Sequence, residues 1–594
     1  MQITGDYLRS VAVGSAQDRS GDAAQATGAI RFILLSQLII PFLLLILGVL
    51  LGLYQVLARA GIIRSADIFG INYYQGLTLH GVINAIVFTT FFAVAFGNAI
   101  MLHQLKRPLK VGVQWASWLL MVGGTLMAAW AMLTGRATVL YTFYLPMVAH
   151  WSFYVGATLL LIGSILPYFL DWIPNTLAWR RENPNAKLPL AVLGNLVNFT
   201  LWFLIILPLA TTVLFQMLPM SLGLASEVNP LLSRTLFWFF GHALVYFWLL
   251  PSYIMLYTML PKLAGGKLYS DPAARLAFLL FLLFSIPVGL HHQYTEGGLS
   301  SGWKLWHAFL TFMVALPSFI TAFTVAASLE HGARQNGGQG LFGWWSKLPY
   351  WSREGDKWLF AYFISGLILF LFGGITGIVN ASYNLNLVVH NTAWIVGHFH
   401  TTVGGLVTLS FLGMTLYLIA RLRGVDVKAK PFALAAPYLW MLGFVIFEVA
   451  LSITGLQGAP RRSNIGISYL DPSNELLYRG DWLFWSHVGA LGGVLAVVGF
   501  LSYVVSLVGT LFAKPVRAPE IDFPIAEALH DNPTPLVVNL RPWVTATLAL
   551  IAISYTYPVY ESMTRGIITK VPGYQSIENN LVPQQTLREQ TKLP

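Results

Sequence analysis

The chain has 594 residues, of which 56% are hydrophobic and only 10% are charged, and its formal net charge is +11. A soluble protein of this length carries about 25% charged residues, so the composition excludes a soluble globular protein. Apolar runs longer than about 18 residues recur along the chain, and each can cross the hydrocarbon core of a bilayer. We therefore predict an all-α fold, a polytopic integral membrane helical bundle.

Cysteine is absent from the chain, which has 13 histidines and 14 methionines. Disulfides, iron–sulfur clusters and thiolate metal sites are therefore excluded within this chain. Any metal must be held by histidine, carboxylate or thioether. The basic residues are spread through the loops, which is typical of membrane topology signals and argues against a nucleic-acid partner.

Thirteen apolar segments follow a polar stretch at 1–28, which we expect to be a cytoplasmic N-terminal tail. We predict that 29–563 is one transmembrane domain and that 564–594 is an outer C-terminal tail. The predicted membrane spans lie near 29–58, 71–103, 112–134, 145–172, 189–219, 228–261, 273–292, 303–329, 357–379, 386–420, 432–456, 479–513 and 541–563.

The distribution of basic residues predicts the orientation of these spans. If the N-terminus is cytoplasmic, the inner segments hold 23 of the 35 lysines and arginines. The positive-inside rule therefore favours an N-in, C-out topology. Odd-numbered spans would then run outward and even-numbered spans inward.

Six histidines fall at a similar depth in this topology. At about 1.5 Å per residue, all six lie in the outer half of the bilayer. Ionisable groups inside a membrane are costly and are usually functional. The six are His80 in span 2, His242 in span 6, His291 and His292 at the outer end of span 7, and His398 and His400 in span 10.

A lone intramembrane histidine is more often an interhelical hydrogen-bonding group than a metal ligand, and we interpret His150, His307 and His487 in that way. An adjacent histidine pair with a third histidine on another helix is a plausible three-imidazole copper site. His398 and His400 are two residues apart, which separates them by about 200° around a helix. That helix could therefore serve two different centres, one on each side.

The sequence resembles subunit I of the heme-copper oxidases, and most closely their B-type cytochrome c oxidase branch. The resemblance covers about 30–560. It is carried by motifs that occur in the order found in that family: LHGVINAIVF, GHALVYFWLLP, VGLHHQYTE, VVHNTAWIVGHFH and APRRS.

The resemblance implies the ligands of two hemes and one copper. His80 and His400 would be the axial pair of a low-spin heme, expected to be heme b. His398 would be the proximal ligand of a high-spin heme, expected to be of the heme A type. The copper facing that heme would be held by His242, His291 and His292.

Tyr246 lies four residues after His242 and therefore shares its helix face. A packed tyrosine is the simpler interpretation of that position. In the family that the sequence resembles, the tyrosine at the position of Tyr246 is covalently linked to the copper-ligating histidine and supplies an electron and a proton to oxygen. The resemblance therefore implies a catalytic role for Tyr246.

Hydroxyl groups recur at helical spacing on the cytoplasmic side of Tyr246. Such groups commonly hydrogen-bond one helix to another. They also match the single proton channel of the B-type enzymes, so we expect them to carry protons. The residues are Tyr253, Tyr257, Ser270, Ser318, Thr321 and Thr324.

Outer polar residues match the heme propionate network of the family. Arg461 and Arg462 could simply contact lipid headgroups, but paired guanidinium groups suit propionates. His390 and Asn391 lie two turns before His398 in the predicted span and would join this network. Asn386 stands where B-type relatives can carry an aspartate, so a proton stored there in relatives would have to be stored elsewhere in this chain.

Two further positions bear on proton transfer. Leu244 occupies the place of a glutamate in A-type enzymes, which argues against a second, glutamate-fed proton route. Glu448 is a carboxylate inside span 11, and the resemblance assigns it no role. It could pair with another subunit, or it could be neutral and hydrogen-bonded.

We expect the catalytic subunit of a respiratory terminal oxidase that reduces O₂ to water and pumps protons. Its expected location is a prokaryotic inner membrane, in contact with lipid. In many enzymes that the sequence resembles, electrons enter through a copper centre held by cysteines, which a chain without cysteine cannot hold. The resemblance therefore implies a subunit II with an outer copper domain, and a small single-span subunit is also expected. The electron donor would be cytochrome c or a quinol.

Two alternatives remain at this stage. A nitric oxide reductase of the same superfamily would use glutamates around non-heme iron, and Tyr246 argues against it. A secondary transporter with structural histidines would show repeated halves and broken helices, which the sequence lacks.

Overall fold

The computed structural model describes residues 27–65 and 67–571. Residues 1–26 of the predicted N-terminal tail and residues 572–594 of the predicted C-terminal tail lie outside the described residues. Thirteen helices of the described chain are named here in order. They are α1 Gly28–Arg59, α2 Tyr73–Leu105, α3 Val111–Leu133, α4 Trp151–Glu182, α5 Leu190–Ser221, α6 Pro230–Thr258, α7 Asp271–Phe284, α8 Ser301–Gln335, α9 Trp358–Ala381, α10 Ala393–Arg423, α11 Lys430–Leu456, α12 Gly480–Leu511 and α13 Leu540–Arg565.

Eleven of these helices are long and apolar enough to span a membrane, and they coincide with eleven of the predicted spans. The other two, α7 and α13, also form as helices at the predicted places. With 14 residues, α7 reaches about 21 Å, which is shorter than the hydrocarbon core. The protein is therefore a multi-pass helical membrane bundle.

Six short strands form two-stranded pairs, five of them in the connections between the helices and the sixth after the last described helix. Two pairs are antiparallel, and the pair of β4 with β5 is parallel. The strands are β1 Asp67–Ile68, β2 Ile71–Asn72, β3 Glu227–Val228, β4 Leu268–Ser270, β5 Ala528–His530 and β6 Thr569–Lys570.

The helices α2 and α10 occupy the centre of the bundle. In the most apolar 18-residue stretch of each helix, 94% of α2 and 89% of α10 is buried inside the protein, whereas only 39% of α3 is buried. The helix α3 therefore presents most of its surface to lipid, whereas α2 and α10 face other helices. The histidines on α2 and α10 therefore lie in the interior of the bundle.

Small residues allow the outer helices to pack closely. At Gly443 of α11, an added methyl group would lie 2.6 Å from the backbone oxygen of Gly492 on α12. Close backbone approach of this kind replaces the hydrophobic driving force that is missing between helices in lipid.

The structure corrects two of the predicted spans. The seventh helix ends at Phe284, and His291 and His292 lie in a 3₁₀ turn at Gly289–Gln293. Pro287 explains the ending, since proline lacks a backbone N–H and disfavours helical conformation in the residue before it.

The tenth span begins later than predicted. A short helix at Tyr383–Val389 is followed by a turn, and α10 starts at Ala393. Asn391 in that turn has a left-handed backbone, with φ of 59°. His390 and Asn391 therefore precede the helix that bears His398, and the prediction that they share it was wrong.

Candidate redox and metal site

His80 on α2 faces His400 on α10. Their ring centres are 6.0 Å apart and the ring planes differ by only 12°. A cavity of about 230 Å³, lined mostly by apolar side chains, contains both rings and reaches Arg461 and Arg462. Gly52 provides room on one side, because an added methyl group would lie 2.7 Å from His80 Cε1.

Backbone carbonyl groups fix the orientation of both rings. Nδ1 of His80 lies 2.8 Å from the oxygen of Gly48, and Nδ1 of His400 lies 2.7 Å from the oxygen of Val396. An Nδ1–H that donates to a carbonyl leaves Nε2 with a free lone pair, which is the arrangement of a metal-ligating histidine. Both Nε2 atoms are therefore available as ligands.

His398 faces the opposite side of α10, as its spacing from His400 predicted. Its Nδ1 lies 3.0 Å from the oxygen of Gly373 and 3.1 Å from the hydroxyl oxygen of Thr376. Gly377 leaves space beside the ring, since an added methyl group would lie 3.1 Å from His398 Cε1. Nε2 of His398 is again the free nitrogen.

His242, His291 and His292 form a compact group, and each offers a ring nitrogen within 4.8 Å of the others. Nδ1 of His242 lies 3.2 Å from Nε2 of His292. Nδ1 of His291 lies 2.9 Å from the hydroxyl of Thr311, and Trp238 stacks on His292 with ring centres 3.9 Å apart. These contacts hold three imidazoles around one point, as a metal ion requires.

Tyr246 lies one helical turn from His242 on α6. The two ring centres are 5.2 Å apart, and Nε2 of His242 is buried with no hydrogen-bond partner in the described structure. His398 is near enough to His242 to interact electrostatically. Tyr246, the histidine group and His398 therefore share one region.

The outer side of the site holds two arginines. The Arg461 side chain donates to Oδ1 of Asn391 at 2.9 Å, and Arg462 donates to the Tyr144 hydroxyl at 3.3 Å. Arg462 has a left-handed backbone, and its Nε and Nη2 are buried without partners among the described residues. Burial and the neighbouring Arg462 lower the pKa of Arg461 to about 10. Both arginines therefore stay charged near neutral pH.

His390 lies in the turn before α10, next to Asn391, which accepts the hydrogen bond from Arg461. Its Nδ1 is 2.9 Å from Oδ1 of Asn386. Burial, and then the positive charges of Arg461, Arg234 and Arg462, lower the pKa of His390 to about 4. His390 is therefore neutral near pH 7 and serves as a hydrogen-bonding group.

The predicted hydroxyl series meets between α6 and α8. The hydroxyl groups of Tyr257 and Thr321 are 2.5 Å apart. Tyr253 approaches Ser318 and Thr321. Thr324 is buried one turn further along α8.

Ser270 lies at the cytoplasmic end expected for this series and caps α7, where its hydroxyl accepts from the backbone N–H of Ala273. The next residue in the hydroxyl series of α8 is Ser328, whose Oγ accepts from the backbone N–H of Tyr269 at 2.8 Å. Ser328, which the sequence prediction missed, thus joins α8 to the backbone next to Ser270.

The sequence matches the family profile described as cytochrome c and quinol oxidase polypeptide I over residues 32–495. Cytochrome c oxidase subunit 1 of Thermus thermophilus is 40% identical over 555 residues, which cover 91% of this chain and 95% of that protein. A heme-copper oxidase subunit I+III from Aeropyrum pernix is 26% identical over 78% of this chain and 55% of its own length. A cryo-EM structure of a heme-copper terminal oxidase dimer aligns with a TM-score of 0.91 at 56% identity, covering 92% of this chain and 95% of that one.

The chain belongs to the heme-copper oxidase family. It is the catalytic subunit I of a terminal oxidase, and therefore an oxidoreductase. The family implies hemes and copper as cofactors, and the side chains at this site fit them.

Two observations test the fit of a heme between His80 and His400. With metal–nitrogen bonds of about 2.0 Å and ring centres about 1.1 Å beyond each nitrogen, two imidazoles on one iron would stand about 6.2 Å apart. The observed separation is 6.0 Å. Nε and Nη2 of Arg462 have no hydrogen-bond partner among the described residues, and Arg462 lines the cavity. Two free guanidinium nitrogens at this place suit an acidic group such as a heme propionate.

Three residues that support the oxidase site were missed by the sequence prediction. Asn84 lies 3.1 Å from Nδ1 of His80, Trp238 stacks on His292, and Thr376 contacts His398. Asn84 follows His80 by four residues and Trp238 precedes His242 by four, so helical spacing could have indicated both. Thr376 lies on a different helix from its histidine, and spacing along the chain gives no signal for it.

Proposed function

We propose that this oxidase subunit, of the B-type branch, reduces O₂ to water at a heme-copper centre and couples the reaction to proton uptake and pumping. The observation that carries the proposal is the arrangement on α10. His400 faces His80, while His398 faces the other side of the helix, toward the region of Tyr246 and the three-histidine group. One helix would thus serve two redox centres.

In this proposal His80 and His400 hold a low-spin heme, and His398 is the proximal ligand of a high-spin heme. The three-histidine group holds copper: His242, His291 and His292. When bound, these cofactors accept electrons and supply the place where O₂ is reduced. The low-spin heme would be heme b and the high-spin heme of the A type.

The protein side chains orient the ligands and exclude water from the site. Nδ1–H of His80, His398 and His400 is directed to backbone oxygens, which fixes each ring and leaves Nε2 toward the cofactor. Arg461 and Arg462 would bind heme propionates, and His390 and Asn391 would extend that network as neutral hydrogen-bonding groups.

Tyr246 holds a proton on its phenolic oxygen and would give it, with an electron, to the oxygen being reduced. Its position one turn from His242 supports this role. Replacement protons would come from the cytoplasm through the hydroxyl series: Ser270, Thr324, Thr321, Ser318, Tyr257 and Tyr253. The contact between Tyr257 and Thr321 supports this route, because hydroxyl groups at 2.5 Å can exchange a proton.

The proposed function also predicts the membrane location of the subunit and its partner subunits. Residues 29–563 would be the catalytic transmembrane domain in the inner membrane of a prokaryote, with the tail at 1–28 inside and the tail at 564–594 outside. A subunit II with an outer copper domain would deliver electrons from cytochrome c or a quinol. A small single-span subunit would complete the complex, and no nucleic acid is involved.

Oxygen consumption by the purified holoenzyme complex tests the proposal. Reduced cytochrome c and a reduced quinol are supplied in separate assays, and the complex in sealed vesicles is followed for external pH. We expect rapid O₂ consumption with one of the donors, together with proton release. Consumption of nitric oxide with no consumption of O₂ would overturn the proposal and point to a nitric oxide reductase.

A further inference from the structure

The adjacent histidine pair lies in a turn and not in an α-helix. Residues 286–293, which we call the copper turn, follow the end of α7 and carry His291 and His292. Gly289 and Leu290, the two residues before the pair, are buried. A buried backbone N–H that finds no acceptor costs free energy comparable to a lost hydrogen bond. The partners of these two N–H groups therefore matter for the conformation of the copper turn.

Tyr555 of α13 bonds to the copper turn at two places. Its hydroxyl oxygen accepts from the backbone N–H of Gly289 at 2.9 Å and donates to the backbone oxygen of Ile286 at 3.2 Å. A hydroxyl has one proton to donate, so the two bonds are compatible. The Tyr555 ring is buried and stacks on Phe239 of α6, with ring centres 3.8 Å apart. The turn packs tightly here, since a methyl group added at Gly289 would lie 2.5 Å from the Tyr555 hydroxyl oxygen.

His307 of α8 bonds to the next N–H of the turn. Its Nδ1 accepts from the backbone N–H of Leu290 at 3.3 Å, and its Nε2 lies 3.0 Å from the backbone oxygen of Ser554 on α13. A carbonyl oxygen can only accept, so Nε2 carries the proton and Nδ1 of the neutral ring is left as an acceptor. The interpretation of His307 as an interhelical hydrogen-bonding group is thereby confirmed.

We propose that Tyr555 and His307 are positioning residues that fix the copper turn and, through it, the imidazoles of His291 and His292. The inference rests on the proposed role of the three-histidine group as the copper site. Metal affinity depends on how firmly outer groups hold the ligands in their binding geometry. In this chain those outer groups come from α8 and α13 and act on the backbone that precedes the ligands.

The loss of either side chain leaves a buried N–H of the copper turn without its acceptor. The turn then has to shift until that N–H finds another partner. His291 follows Leu290 directly, so such a shift also moves its ring. Metal–nitrogen bonds are about 2.0 Å long and tolerate little displacement, so a shifted turn binds copper more weakly.

Copper retention by the reduced holoenzyme complex tests the inference. The variants are Tyr555→Phe, His307→Leu and His307→Asn. Tyr555→Phe removes only the hydroxyl and keeps the ring that stacks on Phe239. Tyr168→Phe is the matched control, because Tyr168 is a buried tyrosine of α4 whose hydroxyl lies 2.7 Å from that of Thr200 on α5.

The measurement uses the infrared band of carbon monoxide that is photodissociated from the heme at low temperature and captured by the neighbouring copper. The area of this band, relative to the heme-bound band that is lost, counts the three-histidine groups that hold copper. Its position and width report their geometry. The band is followed during incubation with the copper chelator bathocuproine disulfonate, and heme content is measured in every sample.

We expect Tyr555→Phe to keep both hemes, to displace or broaden the copper band, and to weaken copper retention on the order of 10- to 100-fold. His307→Leu should behave in the same way. His307→Asn should lose copper more slowly than His307→Leu, because asparagine has an acceptor oxygen on Cγ, where histidine has Nδ1. The band and the release rate of Tyr168→Phe should equal those of the wild type.

A wild-type band and release rate in Tyr555→Phe would overturn the inference, whether or not His307→Leu assembles. Slower copper loss in His307→Leu than in His307→Asn would also overturn it, since leucine fills the space better and packing alone would then hold the turn. If Tyr555→Phe fails to assemble, the order of the two His307 variants decides. An equal change in Tyr168→Phe would show a general effect of removing a buried hydroxyl and contradict the inference. A wild-type complex with hemes but no copper band would instead overturn the proposed copper site.

Discussion

His398 and His400 are separated by one residue, yet their rings face different parts of the molecule. Their orientation is set by two backbone oxygens, that of Gly373 for His398 and that of Val396 for His400. Their replacement should therefore remove different hemes. We expect His400→Ala to lose the low-spin heme spectrum and to keep the heme that binds carbon monoxide. His398→Ala should show the reverse, and reduced spectra with and without carbon monoxide measure both. Loss of the same heme in both variants would contradict the two-sided arrangement.

Tyr246 provides a second test at the scale of one atom. Tyr246→Phe removes only the phenolic oxygen, so the three-histidine group and both hemes should remain. We expect O₂ reduction to fall on the order of 10²- to 10⁴-fold, the range for loss of a positioned proton donor. Copper and heme content are measured on the same sample. Wild-type turnover in a variant of normal metal content would reduce Tyr246 to a packing residue.

At the scale of helices, α6 and α8 bring the predicted hydroxyl groups together at Tyr257 and Thr321. Thr321→Val keeps the shape of the side chain and removes the hydroxyl. We expect slower proton uptake and slower turnover, on the order of 10-fold or more, with unchanged heme spectra. Thr211→Val is the matched control, because Thr211 is an exposed threonine of α5 whose hydroxyl bonds to its own helix. Equal turnover in both variants would exclude the α6–α8 route.

The sequence predicted the helices and most of the site, because apolar length and motif order are properties of the chain itself. It placed His291 and His292 at a helix end, although Pro287 ends that helix early and a 3₁₀ turn carries the pair. It also placed His390 and Asn391 on the helix of His398. The left-handed backbone of Asn391 separates them. Asparagine adopts this conformation more readily than most residues other than glycine, but its presence in the sequence does not show where the chain turns.

Contacts between helices that are far apart in the sequence could not be predicted either. Thr376 and Glu448 lie 22 and 50 positions from His398, and no spacing rule links them. Glu448 could be recognised as an unusual intramembrane carboxyl. Its neighbour across the bundle, Gly397, became known only from the structure.

At the scale of the whole molecule, the absence of cysteine allows a direct test of the topology. The N-in orientation places the loop after α8 inside and the loop after α11 outside. We expect Glu475→Cys to react with a membrane-impermeant thiol reagent in intact cells. Gln339→Cys should react only in inverted vesicles. The reversed pattern would contradict the orientation and the cytoplasmic source of protons, and the unmodified chain gives the background.

The central claim, that one chain holds two hemes on opposite sides of α10 and a copper on three histidines, is tested most directly by one spectrum. The purified complex is reduced with dithionite and recorded before and after addition of carbon monoxide, with iron and copper counted on the same sample. We predict that subunit I holds two hemes and one copper, and that carbon monoxide shifts the bands of one heme only. Copper bound by other subunits must be removed or counted separately. Iron in excess of the hemes with no copper at the three histidines, or a colourless protein, would contradict the account.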